Sequence, residues 1–118
     1  MSKKYIIAGG DMRFSALAEE LAENELVCTV GFDKNIFCSD KITVSENVMS
    51  LPYRADCLVL PLPASSDGIT LNTPFYSGTV SLSELTGCVN RDGIVFGGRL
   101  SPAVKDIFSS KGIEVVDY

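Results

Sequence analysis

The chain contains no histidine. The side chain that most often serves as a general base near neutral pH is therefore missing, and with it every Ser-His or Cys-His arrangement. There is no nucleophile elbow and no P-loop either. No apolar run approaches the roughly 20 residues needed to span a bilayer. The opening Met1-Ser2-Lys3-Lys4 leads straight into a strand pattern without a small-residue cleavage site, so no signal peptide is expected. No basic cluster is longer than Lys3-Lys4, and 10 basic residues stand against 15 acidic ones for a net charge of -5. A protein that binds a nucleic-acid backbone needs a basic face to release counterions, so that class is excluded. The four cysteines, Cys28, Cys38, Cys57 and Cys88, include no C-x-x-C pair. Nothing local nucleates a zinc site. Cys28 and Cys57 fall in apolar strand patterns, where a thiol acts as a small hydrophobe, and reduced structural cysteines suit a cytoplasmic protein.

What is present fits one domain over residues 1–118 with a single core: the length is 118 residues, 46% hydrophobic and 21% charged. Its organising stretch is Tyr5-Ile6-Ile7-Ala8-Gly9-Gly10-Asp11-Met12-Arg13. Apolar residues run into a Gly-Gly turn, and Phe14, Leu17, Ala18, Leu21 and Ala22 then recur at helical spacing. The pattern predicts a buried strand, a tight turn capped by Asp11, and an amphipathic helix. A second strand is expected over 26–32. Residues 34–55 are hard to read, with Ile42-Thr43-Val44 as a candidate short strand and 46–51 as a candidate helical turn. A strand at 56–61 ends in Pro61-Leu62-Pro63, which stops pairing. A long loop follows over 64–79, with a candidate hairpin between Ile69–Leu71 and Phe75–Tyr76. A helix begins at Ser81, with the Ser-x-x-Glu spacing of a capping box and an apolar face continuing to Val89, and Asp92-Gly93 is read as its end. The strand Ile94-Val95-Phe96, a helix from Ser101-Pro102 to Gly112, and a last strand at 113–116 complete the chain. The alternation predicts a flavodoxin-like or Rossmann-like doubly wound, mostly parallel five-stranded sheet with helices on both faces.

In such a sheet, ligands sit at the carboxyl ends of the strands. Those ends carry Gly9, Gly10, Asp11 and Arg13, then Ser65, Ser66 and Asp67, then Gly97, Gly98 and Arg99. Glycine turns let a ligand approach the backbone, helix N-termini favour anions, and guanidinium groups pair with carboxylates through two parallel bonds. The sum suggests a site for a small carboxylate-bearing molecule. The bland alternative reads each arginine as a solvated helix-start residue, Asp11 as a cap and Asp67 as a turn residue before Gly68. A dinucleotide at the first turn is rejected: the spacing is not G-x-G-x-x-G, and Asp11 sets a negative charge where a pyrophosphate belongs. A receiver domain also fails, because a single Asp11 follows the first strand and the third ends in Pro-Leu-Pro. No catalytic residue is assigned, and no metal or cofactor site is expected in this chain.

The stretches IAGGDMR, VGFD, DCLVLPLPASSDG, GIVFGGRLS and IEVVDY, in this order, resemble the N-terminal domain of the dipicolinate synthase A chain. G-G-D-x-R and L-P-x-x-x-x-x-D-G carry most of the specificity, and residues 34–55 match poorly. The resemblance implies a two-domain protein laid out like the D-2-hydroxyacid dehydrogenases. In that layout a second, dinucleotide-binding domain, absent from these 118 residues, binds NAD(P) and closes a cleft over a small cyclic dicarboxylate. It also implies the dipicolinate synthase B chain as a partner, a role in oxidising a dihydrodipicolinate-type intermediate during sporulation, and a place in the mother-cell cytoplasm. Alone, this domain is expected to be inactive in hydride transfer. The reading from another class is a non-catalytic flavodoxin-like ligand-sensing or protein-interaction module. The oligomeric state is left open, a homo-oligomer included.

Overall fold

Alternation of side chains along short strands decides the architecture. On strand β1 (Lys4–Ala8), Ile6 and Ala8 point to one face and Ile7 to the other, and all three are fully buried. A strand buried on both faces belongs in the middle of a parallel sheet. The computed structural model, which describes residues 3–117, shows this: β1 pairs in parallel with β2 (Leu26–Val30) and with β4 (Ala55–Val59). Met1, Ser2 and Tyr118, the final residue of the closing motif, lie outside the described residues.

The remaining strands are β3 (Ile42–Ser45), β5 (Val89–Gly97) and β6 (Glu114–Asp117), and the sheet runs β3-β2-β1-β4-β5-β6 with every pairing parallel. The expected count of five strands is thus corrected to six. The added strand is the candidate at Ile42–Val44, which extends to Ser45 and pairs with β2 at the sheet's edge. Without it the order is that of flavodoxin; with it the order is that of the Rossmann fold.

Helix α1 (Met12–Leu21) covers one face through Phe14, Ala18 and, just past its end, Ala22. The other face is covered by α2 (Leu82–Leu85) and α3 (Pro102–Ser109), through Leu82, Leu85, Val104 and Phe108. Helix α2 is shorter than its sequence suggests. A single 3-10 turn at Thr86–Cys88 follows it, and Val89 already belongs to β5. Asp92-Gly93, read as a helix stop, lies inside that strand. The hairpin expected between Ile69–Leu71 and Phe75–Tyr76 does not form: Thr70 bridges Ser81, and Leu71 N–H donates to Val80 O at 2.9 Å. Residues 48–50 form one 3-10 turn, as expected for the 46–51 stretch.

All four cysteines are free; Cys28, Cys57 and Cys88 are buried and Cys38 is exposed. Burial pushes the Cys57 and Cys88 thiols up to about 11, so both stay protonated at neutral pH.

Candidate functional site

The sheet order reverses between β1 and β4, and the crevice at their carboxyl ends is where a doubly wound fold offers a ligand site. The β1–α1 turn forms one side of it. Gly9 and Gly10 have φ of 67° and 111°, conformations that residues with a Cβ rarely adopt. Asp11 caps α1 by accepting from Arg13 N–H at 3.0 Å. Its carboxylate also receives Arg13 Nε at 3.1 Å, and this pairing holds the Asp11 carboxyl below its usual range. Arg13 reaches across the crevice as well, donating Nη2 to Leu62 O at 2.9 Å, at the cis Leu62–Pro63 bond. Its guanidinium is thus partly engaged, yet the side chain remains 61% exposed.

The long loop after β4 does not swing free of this crevice; it folds back over it. Asn72 O accepts from Gly10 N–H at 3.0 Å, Asn72 N–H donates to Ala64 O at 2.9 Å, and Asn72 Nδ2 donates to Pro63 O at 3.0 Å. A Cβ at Gly9 would stand 2.6 Å from Asn72 O, and one at Gly31 would stand 2.9 Å from Thr73 Cγ2. The closely approaching group at these glycines is therefore the chain's own segment at 71–73. Further along, Asp33 N–H donates to Phe75 O at 2.8 Å, Ser77 Oγ donates to Asp33 Oδ1 at 3.2 Å, and Tyr76 Oη donates to Glu46 O. The loop crosses the ends of β4, β1, β2 and β3 in turn. Asn72 is the key strap residue, and nothing in its sequence context marked it.

Ser65 and Asp67 are committed to shaping this loop. The Asp67 carboxylate accepts from Ile69 N–H and Thr70 N–H, both at 2.8 Å, from Thr70 Oγ1 at 2.9 Å and from Ser65 Oγ at 3.0 Å. These donors, led by Thr70 N–H, hold its carboxyl far below the usual range. Ser65 Oγ in turn accepts from Gly68 N–H at 2.9 Å. Ser66 is exposed beside them. The turn lies against the start of α3, since a Cβ at Gly68 would stand 3.8 Å from Ala103 Cβ.

On the far side of β4, Gly97 ends β5, buried Gly98 follows, and Arg99 is exposed with φ 50°. The turn is fastened to β6: Leu100 N–H donates to Asp117 Oδ1 at 3.4 Å, and Lys105 pairs with Asp117 at 2.9 Å. The Lys105 ammonium, first among several donors, lowers the Asp117 carboxyl. Ser101 caps α3 by accepting from Val104 N–H at 3.3 Å. The Arg99 guanidinium makes no hydrogen bond or ion pair to the described residues. Because β1 and β5 flank β4, Arg13 and Arg99 leave the same end of the sheet two strands apart, roughly 10 Å. The site residues expected from sequence thus share one end of the sheet, but Ser65, Asp67 and the first Gly-Gly turn spend their polar groups on the protein itself.

Beside this crevice, a hollow of about 320 Å³ opens at the ends of β2 and β3, between Phe32, Asp33, Lys34, Glu46, Tyr76 and Ser77. Its two carboxylates against one lysine disfavour an acidic ligand there. No group of acidic or cysteine side chains among the described residues is placed to hold a metal ion. No helix among them is long and apolar enough to cross a membrane. The residues of the first turn do not fit a pyrophosphate: Gly10 N–H is occupied by Asn72 O, and the Asp11 carboxylate stands at the α1 N-terminus.

Sheet order, crevice and paired turns define a single-crevice α/β domain of Rossmann strand order. A family model described as the N-terminal domain of the dipicolinate synthase A chain matches residues 4–118, and the chain belongs to that family. The crystal structure of the dipicolinate synthase A chain from Bacillus subtilis is similar over 99% of this chain, with a TM-score of 0.86 and 21% sequence identity. That of its counterpart from Bacillus halodurans is similar over 97%, with a TM-score of 0.81 and 17% identity. At these identities the likeness establishes the fold. The chain spans 40% of the length of each of those two proteins. No curated protein sequence matches it.

Proposed function

We propose that this domain supplies the substrate-side wall of a cleft for a small cyclic dicarboxylate, in a dipicolinate synthase whose nicotinamide cofactor is held by a separate domain. The observation that carries the reading is Arg99. A non-glycine residue held at φ 50° costs about 1–2 kcal/mol, and such strain persists where it positions a side chain for use. Here it presents an unengaged guanidinium at the carboxyl end of the sheet, beside the α3 N-terminus and across β4 from Arg13. Two forks roughly 10 Å apart suit a planar ring with carboxylates on opposite sides. Arg13 is expected to exchange part of its contact with Asp11 and Leu62 O for the second carboxylate. The residues of this chain bind and orient; hydride transfer depends on a cofactor held elsewhere. The family description also implies a companion polypeptide, the dipicolinate synthase B chain, and a soluble cytoplasmic setting suits the reduced thiols.

The test is calorimetric titration of dipicolinate into the protein and its variants. Arg99→Gly relaxes the strained backbone and removes the fork together. Its stability is expected to hold or rise by up to about 1 kcal/mol, while dipicolinate affinity falls at least tenfold. Unchanged affinity in both Arg99→Gly and Arg13→Ala would sink the reading and leave the ligand-sensing or interaction module in its place.

A further inference from the structure

At the opposite end of the sheet, a cleft of about 590 Å³ opens between the starts of β4, β5 and β6. Arg54, Thr86, Asn90, Arg91, Lys111 and Gly112 contribute to its wall, and no carboxylate lines it. That lack of acid stands out in a chain with 15 acidic residues and 10 basic ones. None of the three cations makes an ion pair with a described residue. The adjacent Asp56 is already committed, accepting from Lys4 N–H at 3.0 Å and from Asn90 Nδ2 at 2.8 Å.

The backbone here is built rather than incidental. Ala55 on β4 faces Val89 on β5, but Cys57 faces Ile94, so residues 90–93 of β5 bulge out of the ladder. A bulge of this kind re-aims side chains at a strand end. Asn90 pins it by donating Nδ2 to Arg54 O at 3.3 Å. Gly93 lets it close, because a Cβ there would stand 2.8 Å from Ala55 O and 2.7 Å from Val89 Cγ1. Arg91 is thereby brought to the same cleft as Arg54. Lys111 arrives from the α3–β6 turn, which is set by Gly112 at φ 76° and by Ile113 N–H donating to Phe108 O at 3.2 Å.

We propose that this cleft binds a small organic anion carrying two or more carboxylate or phosphate groups, at a site separate from the carboxyl-end crevice. Its volume lies within the roughly 300–1,000 Å³ of small-ligand pockets. Two guanidinium forks and an ammonium, with no acid among them, select multiple negative charges and use geometry that carboxylate and phosphate share. The inference does not depend on the proposed function, since none of its residues belongs to that site.

The experiment is a two-dimensional NMR titration of the protein with citrate and, separately, with pyrophosphate, at constant ionic strength. Saturable shifts are expected at the amides of Arg91, Gly93 and Gly112. The exposed double variant Arg91→Ala/Lys111→Ala is expected to keep its unfolding midpoint and to bind at least tenfold more weakly. Saturation by citrate alone or by pyrophosphate alone would support the site and assign its chemistry. Linear, unsaturating shifts with both probes, undiminished affinity in the double variant, or shifts gathered only at Arg13 and Arg99 would overturn it.

Discussion

Asp67 and Thr29 show how differently two polar side chains can serve this fold. Asp67 gathers donors from Ser65, Ile69 and Thr70 and so converts a run of polar residues into a fixed turn. Because its carboxyl is held below the ordinary value of 3.8, its contribution is present above that value and is lost as the pH falls below it. Amide exchange at Ile69 and Thr70 should therefore be slow near neutral pH and lose its protection in acid, and Asp67→Ala should lack that protection already near neutral pH. Equal protection in wild type and variant would contradict this assignment. Thr29 is the reverse case: it is fully buried, and its Oγ1 has no hydrogen-bond partner among the described residues. Thr29→Val keeps the shape and removes the desolvated hydroxyl, so chemical denaturation should show a gain of about 1 kcal/mol. A loss of similar size would mean that the hydroxyl has a partner.

Among the elements, the loop after β4 was the least legible and matters most to the site. The strand–turn–helix at 4–21, the α3 start at Ser101-Pro102 and its stop at Gly112 were readable because each rests on local chemistry: apolar period, cap, proline and glycine. The sixth strand and the β5 bulge were not. Ile42–Ser45 is four residues long and is a strand because β2 offers it an edge, which no local pattern encodes. Gly93 resembled a helix stop because its true role, close approach to Ala55 O, comes from a residue 38 positions away in sequence (93 minus 55). Of the candidate site, the Gly-Gly turn was correctly seen as a close approach, but the approaching group is Asn72 O. Gly9→Ala tests this contact: the positive φ and the 2.6 Å clash together should cost about 2 kcal/mol or more in urea unfolding. Gly87→Ala, where nothing lies within 4 Å of an added Cβ, should stay within about 0.5 kcal/mol. Equal effects at the two positions would show that the loop does not press on the first turn.

At the scale of the whole molecule, the sheet has two chemically distinct ends. The carboxyl end holds Arg13 and Arg99 about the β1/β4 crevice, strapped by the 61–80 loop, and the amino end holds the cationic cleft beside the β5 bulge. Family membership over residues 4–118, with a fold shared by two dipicolinate synthase structures more than twice as long, suits a domain whose crevice is completed by other parts of a larger protein. The most direct measurement is a pair of NMR titrations of this protein, one with dipicolinate and one with a nicotinamide dinucleotide. Saturable shifts at Gly10, Arg13, Gly98 and Arg99 with dipicolinate, and none there with the dinucleotide, are the predicted result. A saturable response to the dinucleotide at the β1–α1 turn, or no response to dipicolinate at Arg13 and Arg99, would contradict the assignment of this crevice to the dicarboxylate.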